Sequence, residues 1–139
     1  GVYLPPEMEI SNKDSQSPRS PGMKYTHYSP EAKVVIVQGS SSRVVRKINS
    51  LAGEYRLEGL EVGVLSTDQT SGMYDSVHTV SLGDRCSPET IAYSLFRALR
   101  DLDGQGVDVI LAEAVESSGI GLAVMNRLSK AAGYNIIKV

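Results

Sequence analysis

The sequence predicts an α/β fold: a mostly parallel five-stranded sheet sandwiched between helices and preceded by an extended linker. Two observations carry that prediction. After Pro30, short apolar runs alternate with segments of helical period, which is the pattern of βαβ units. Before Pro30 there is no such period, and "NKDSQSPRS" (Asn12 to Ser20) is polar throughout, a composition that buries little apolar surface. The expected division is therefore residues 1–30 as tail and linker and residues 31–139 as one folded domain.

Within the domain, "KVVIVQ" (Lys33 to Gln38) is a continuous apolar strand, as expected where both faces of a parallel sheet are covered. Gly39 and serines that can cap a helix follow it. Val44, Val45, Ile48, Leu51 and Ala52 then recur at helical spacing, with Arg43, Arg46 and Lys47 outward. "EVGVLST" (Glu61 to Thr67) is a second strand. The third, "SVHTVSL" (Ser76 to Leu82), alternates His78, Val80 and Leu82 with Val77, Thr79 and Ser81, which suggests a sheet edge. No helix is evident between these two strands, and a parallel pairing is the expectation.

Ser87-Pro88 marks the next helix start, because a serine oxygen can accept an orphan amide and proline suits the first helical position. Ile91, Leu95, Leu99 and Leu102 form its apolar stripe, and the helix is expected to end near Gly104. "VDVILAEA" (Val107 to Ala114) is the strongest strand signal in the chain. "GIGLAVMNRLSKAAG" carries a stripe of Ile120, Val124, Leu128 and Ala131, with Gly133 as its C-terminal cap, and "NIIKV" closes the sheet. The order β-α-β-β-α-β-α-β gives a three-layer, Rossmann-like layout with the first and fourth strands central.

Composition narrows the function classes. A formal net charge of -2, without a Lys/Arg block, argues against a nucleic-acid or anionic-membrane surface. One cysteine, Cys86, cannot make an internal bridge, and with His27 and His78 it makes no zinc pattern. No apolar run approaches the roughly 20 residues that span a bilayer, and no signal peptide is recognisable. The expectation is a soluble, intracellular, cytoplasmic protein without metal. Because "GVYLPPEMEI" opens without a cap or a period, a further part upstream is also expected.

Ligands of open α/β sheets favour the carboxyl ends of the strands, here Gly39 to Ser42, Ser66 to Asp68 and Glu113 to Gly121. "QGSSSR" could hold a phosphate at a helix start through Ser40 and Ser41, but it lacks the Gly-Lys-Ser/Thr ending of a P-loop and the spacing of the dinucleotide fingerprint, so structural capping is the favoured reading. In "SSGIGLA", Gly119 and Gly121 either admit an anion or let helix and strand pack. Glu113 and Glu116 could pair as acid and base or hold a cation, though Glu116 also suits a first helical turn. Cys86 lies before a helix start that favours a thiolate but has no evident base, and is expected to be inert. His78 is expected to be structural.

"SPGMKYTHYSP" (Ser20 to Pro30) is different in kind. Lys24 brings a point charge, His27 a donor or acceptor, and Tyr25 and Tyr28 flat faces with hydroxyl tips, in a proline-bounded segment unsuited to a helix. Those groups suit the covering of a nucleotide; they equally suit an extended segment fixed to its own domain.

That stretch resembles the interdomain linker motif of the two-domain L-threonylcarbamoyladenylate synthases. "VDVILAEAVESSGIGLAVMNRLSKAAG" is similar to the end of the small C-terminal domain of the same family, and the resemblance covers essentially the whole chain. It implies part of an enzyme that makes threonylcarbamoyl-AMP and pyrophosphate from ATP, L-threonine and bicarbonate, with magnesium, for the threonylcarbamoyladenosine modification of tRNA. In the family the reaction occurs in an N-terminal YrdC-like domain, which would hold the ATP and magnesium. No catalytic residue is expected here. The resemblance makes Lys24, Tyr25, His27 and Tyr28 lid residues across the catalytic cavity and the rest a docking domain. The competing readings are a nucleotide-binding regulatory domain and an interaction module for tRNA-threonylcarbamoyl transferase components.

Overall fold

A computed structural model describes residues 30–75, 78–115 and 119–139. Five strands and three helices follow in the order β1 (Lys33–Gln38), α1 (Ser41–Leu57), β2 (Val62–Ser66), β3 (His78–Ser81), α2 (Pro88–Gly104), β4 (Val109–Glu113), α3 (Gly119–Ala131) and β5 (Ile136–Lys138). A short 3-10 turn, Ser71–Met73, lies between β2 and β3. The strands form one sheet in the order β3-β2-β4-β1-β5, and every pairing is parallel. β4 is central with β1 beside it, and β3 is an edge strand whose residues are all half-buried.

The strand order dictates the layers. Helix α1 carries the chain across the sheet in one direction, from β1 to β2, whereas α2 and α3 carry it in the other. If all crossovers are right-handed, the two directions require opposite faces. The core divides accordingly. On one side Val44, Ile48 and Ala52 of α1 pack with Val35, Val37, Val62, Val64, Val109 and Leu111. On the other, Ile91, Leu95, Leu99 and Leu102 of α2 and Val124 and Leu128 of α3 pack with Ile36, Leu65 and Ile110. The helix-free connection from β2 to β3 moves in the direction of α1, and its Tyr74 joins the α1-side core.

Each helix begins and ends for identifiable reasons. Ser40 and Ser87 occupy the N-cap positions, but neither side chain makes a capping bond. The Ser40 and Ser87 carbonyls instead accept the first backbone bonds, from Val44 and from Thr90 and Ile91. The expected side-chain caps are thus corrected. At the far end of α3, Gly133 has φ of 62°, its N–H reaches the Lys130 carbonyl at 3.1 Å, and the Tyr134 N–H reaches the Ser129 carbonyl at 2.8 Å. This paired 5→2 and 6→1 closure satisfies two orphan carbonyls. The same pair of bonds, each with a positive-φ glycine, closes α1 at Gly59 and α2 at Gly106, and α2 itself ends at Gly104 as expected.

The start of the domain is fixed from a distance. The backbone N–H groups of Glu31 and Ala32 donate to the two carboxylate oxygens of Asp103, at 3.0 and 3.1 Å. Pro30 and Ala32 are buried. Asp103 lies in the last turn of α2, so the chain enters at the amino edge of the sheet, opposite the strand ends where a ligand is expected.

Candidate functional site at the carboxyl edge of the sheet

At the carboxyl edge, β4 ends on a charge. Alternation along β4 turns Ile110 and Ala112 to the α2/α3 side and Val109, Leu111 and Glu113 to the α1 side. Glu113 is only 4% exposed, and a buried carboxylate is tolerated only if it is paired and hydrogen-bonded. It is well supplied. One oxygen accepts from the Thr67 hydroxyl at 3.2 Å and from Nη2 of Arg85 at 3.2 Å; the other accepts short bonds from the hydroxyls of Thr70 and Tyr74.

Arg85 joins the parts of this edge. It precedes α2 in sequence, yet its guanidinium donates to Ser41 at the start of α1, to Thr67 after β2 at 3.1 Å, and to Glu113 of β4. Two loops hold it there. The Gln69 side chain accepts from the Arg85 backbone N–H at 3.0 Å and donates to Asp84 at 2.7 Å, while the Ser81 hydroxyl donates to Asp68 at 2.6 Å. Asp84 also accepts from the Cys86 N–H at 2.8 Å. That bond, together with the one from Gln69, holds the Asp84 carboxyl below the usual carboxylate range. Burial, and then the neighbouring Glu113 carboxylate, push the Tyr74 phenol far above the ordinary tyrosine value. Tyr74 is therefore a neutral donor to Glu113.

Beside this cluster lies a recess of about 100 Å³ lined by Thr67, Arg85, Pro88, Ile91, Val115 and Gly121 among others. Gly121 of the expected ligand site is thus placed on a cavity wall. Ser41 is placed on Arg85, and Ser40 is an exposed N-cap whose hydroxyl makes no capping bond. Gly119 has φ of 56° and open space where a side chain would stand, so backbone conformation rather than packing accounts for it. Gly39, in contrast, faces a close neighbour: a Cβ there would lie 2.6 Å from the Val139 carbonyl oxygen, so a side chain at this position would displace the end of the sheet.

The other expectations are distributed as follows. His78 lies near the amino edge, where its ring nitrogens face Gln105 at 2.7 Å and Glu61 at 3.2 Å, a structural arrangement. Cys86 is a free, exposed thiol. Glu113 is not an acid-base partner in waiting, because Arg85, Tyr74 and two threonines occupy its oxygens. Glu116 and the linker residues Lys24, Tyr25, His27 and Tyr28 lie outside the described residues. Among the described residues no group of three or more His, Cys, Asp or Glu could hold a metal ion, and no helix is long and apolar enough to cross a membrane.

Sequence reasoning pointed to the strand end that holds Thr67 and to Glu113, but missed Arg85, Thr70 and Tyr74. One signal was present: a carboxylate closing an apolar strand must find a cation or hydroxyls. Which residues supply them depends on how the two helix-free loops fold over the strand ends.

A family model described as threonylcarbamoyl-AMP synthase, C-terminal domain, matches residues 3–133. The chain is 51% identical over 130 residues to the threonylcarbamoyl-AMP synthase of Pyrococcus abyssi, covering 94% of this chain and 36% of that protein. It is 46% identical over 124 residues to the synthase of Bacillus subtilis, covering 89% and 35%. It thus spans about a third of the length of these curated relatives. Among solved structures, P. abyssi Sua5 complexed with L-threonine aligns with a TM-score of 0.73 at 51% identity, over 91% of this chain and 36% of that one. The C-terminal Sua5 domain from Pyrococcus horikoshii aligns at 0.65 and 44% identity, over 80% of this chain and 100% of that one.

Proposed function

We infer that this chain, which belongs to the threonylcarbamoyl-AMP synthase C-terminal domain family, is the accessory part of such a synthase: a linker that closes over the catalytic cavity and a domain that docks the linker in place. The observation that carries this reading is the extent of the family match. It runs from residue 3 to residue 133, and so takes in the Lys24 to Tyr28 segment and the folded domain together. The complete protein would condense ATP, L-threonine and bicarbonate into threonylcarbamoyl-AMP and pyrophosphate in an N-terminal YrdC-like domain, which would also hold magnesium. The product would serve tRNA threonylcarbamoyladenosine modification in the cytoplasm.

In this proposal the chain contributes no reacting group. Lys24 or His27 faces the phosphates or the carboxylate of the substrates, and Tyr25 and Tyr28 close the mouth of the cavity, excluding water from a reactive mixed anhydride. The Asp103 carboxylate on the Glu31 and Ala32 amides supports it, because a lid needs a fixed root. The test is pyrophosphate release by the separately expressed catalytic half, with and without this chain. A rise in turnover on adding the chain is expected; a fully active catalytic half that the chain leaves unchanged overturns the reading.

A further inference from the structure

In the carboxyl-edge recess one cation, Arg85, stands beside apolar walls. Ile91, Val115 and Val124 supply the walls, and Thr67 and Arg85 supply the polar groups. A guanidinium carries five N–H donors, of which three bonds here go to Ser41, Thr67 and Glu113. Among the described residues Arg85 therefore keeps donors for a ligand, and its side chain is 43% exposed.

Size and charge decide what could enter. About 100 Å³ is well below the roughly 300–1,000 Å³ of pockets for drug-sized molecules, which rules against an enclosed nucleotide. Glu113 offsets the charge of Arg85. Further positive potential comes from the start of α3, which lines the recess through Gly121, has no acidic residue in its first turn and carries about half a unit, whereas Glu89 stands in the first turn of α2. Asp68 and Asp84, in the loops that bear Thr67 and Arg85, oppose any further negative charge. A polyphosphate would meet two carboxylates with one shared cation. A single negative charge on a short apolar body fits both conditions.

We propose that this recess binds a small monoanionic carboxylate with a short aliphatic body, its carboxylate on Arg85 and Thr67 toward the start of α3, its body against Ile91, Val115 and Val124. The site goes beyond the accessory role above and does not depend on it, since it lies wholly within the described domain. Because the recess spans the starts of two helices and the end of β4, occupancy would tighten α2 against α3.

The test is a heteronuclear NMR titration of the 139-residue chain with sodium propionate, and separately with L-threonine, inorganic phosphate, ATP and sodium chloride at matched ionic strength. Saturable shifts confined to the amides of Thr67, Arg85, Val115 and Gly121 with propionate are expected, whereas tighter binding by L-threonine, a net-neutral zwitterion, would overturn the assignment to a monoanion. Arg85→Met should weaken that binding at least ten-fold. Should this variant fold poorly, Ala114→Val, at another residue of the recess wall, narrows the recess while sparing the cation and should weaken binding several-fold. Shifts no larger than those from chloride, tighter binding of phosphate or ATP than of propionate, or unchanged affinity in Ala114→Val would each overturn the proposal.

Discussion

Nη2 of Arg85 lies 3.2 Å from Oε1 of Glu113, a contact that ties the loop before α2 to the buried end of the central strand. Removing Arg85 leaves Glu113 with three hydroxyl donors, and the arginine is partly solvated, so Arg85→Met should cost about 1–3 kcal/mol. Glu113→Ala strands the Tyr74 and Thr70 hydroxyls as well as the arginine and should cost more, about 3–5 kcal/mol. Urea denaturation of both single variants and the double variant measures the difference, and a sum of the single effects equal to the double would show that the pair is not coupled.

Tyr74 makes stability fall at alkaline pH. Its folded-state phenol titrates above the unfolded value, so the contribution is fully present below the unfolded tyrosine value of about 10 and is lost as pH rises past it. Tyr74→Phe should flatten that alkaline decline and cost about 1–2 kcal/mol at neutral pH through the lost bond to Glu113. Denaturation midpoints of the two proteins from neutral to strongly alkaline pH decide it; parallel curves would show that Tyr74 is not the group responsible.

Gly39 is expected to tolerate no side chain. Its Cβ would collide with a backbone oxygen of residue 139 rather than with a flexible side-chain tip, so Gly39→Ala must push the end of β5 away or strain both segments. A loss of about 1–3 kcal/mol and faster amide exchange at Val139, which bonds to the Gln38 carbonyl at 2.8 Å, are the expected results. Unchanged exchange at Val139 would refute the packing explanation.

Asp103→Ala frees the start of the domain from α2. The two amides of Glu31 and Ala32 lose their acceptor, with an expected cost of about 1–2 kcal/mol and rapid hydrogen exchange at both positions. In the complete synthase the same change should lower turnover without altering the catalytic half assayed alone. Equal turnover with and without the substitution would separate the linker's root from its function.

Replacing Lys24, Tyr25, His27 and Tyr28 together by alanine should lower turnover of the complete synthase and raise the escape of free threonylcarbamoyl-AMP. The two readouts must move together for a lid. If turnover falls while escape stays constant, these residues bind substrate without closing the cavity.

The layers of the fold were legible because burial leaves a period. The valine-rich run of β1, the Ile91-Leu95-Leu99-Leu102 stripe of α2 and the alternation that placed β3 at an edge each report a local geometry, and all three are found. The cap at Gly133 was equally readable, since few residues other than glycine accept its backbone conformation without cost. The serine caps misled because Ser40 and Ser87 hold the right positions while their carbonyls make the bonds. The crowding at Gly39 was not readable, because the atom that causes it lies a hundred residues further along the chain.

The amino-acid sequence by itself determined the number and order of strands and helices, their apolar faces and the family to which the linker and domain belong, because each is written in local periods or contiguous motifs. Only the tertiary structure decided that Arg85, Thr67, Thr70 and Tyr74 meet on Glu113, and that the chain enters at the edge opposite this cluster. The physical reason is the crossover topology. Residues 28 to 46 positions apart become neighbours only when parallel strands bring all their carboxyl ends to one side, and no local preference of any of those residues encodes that meeting.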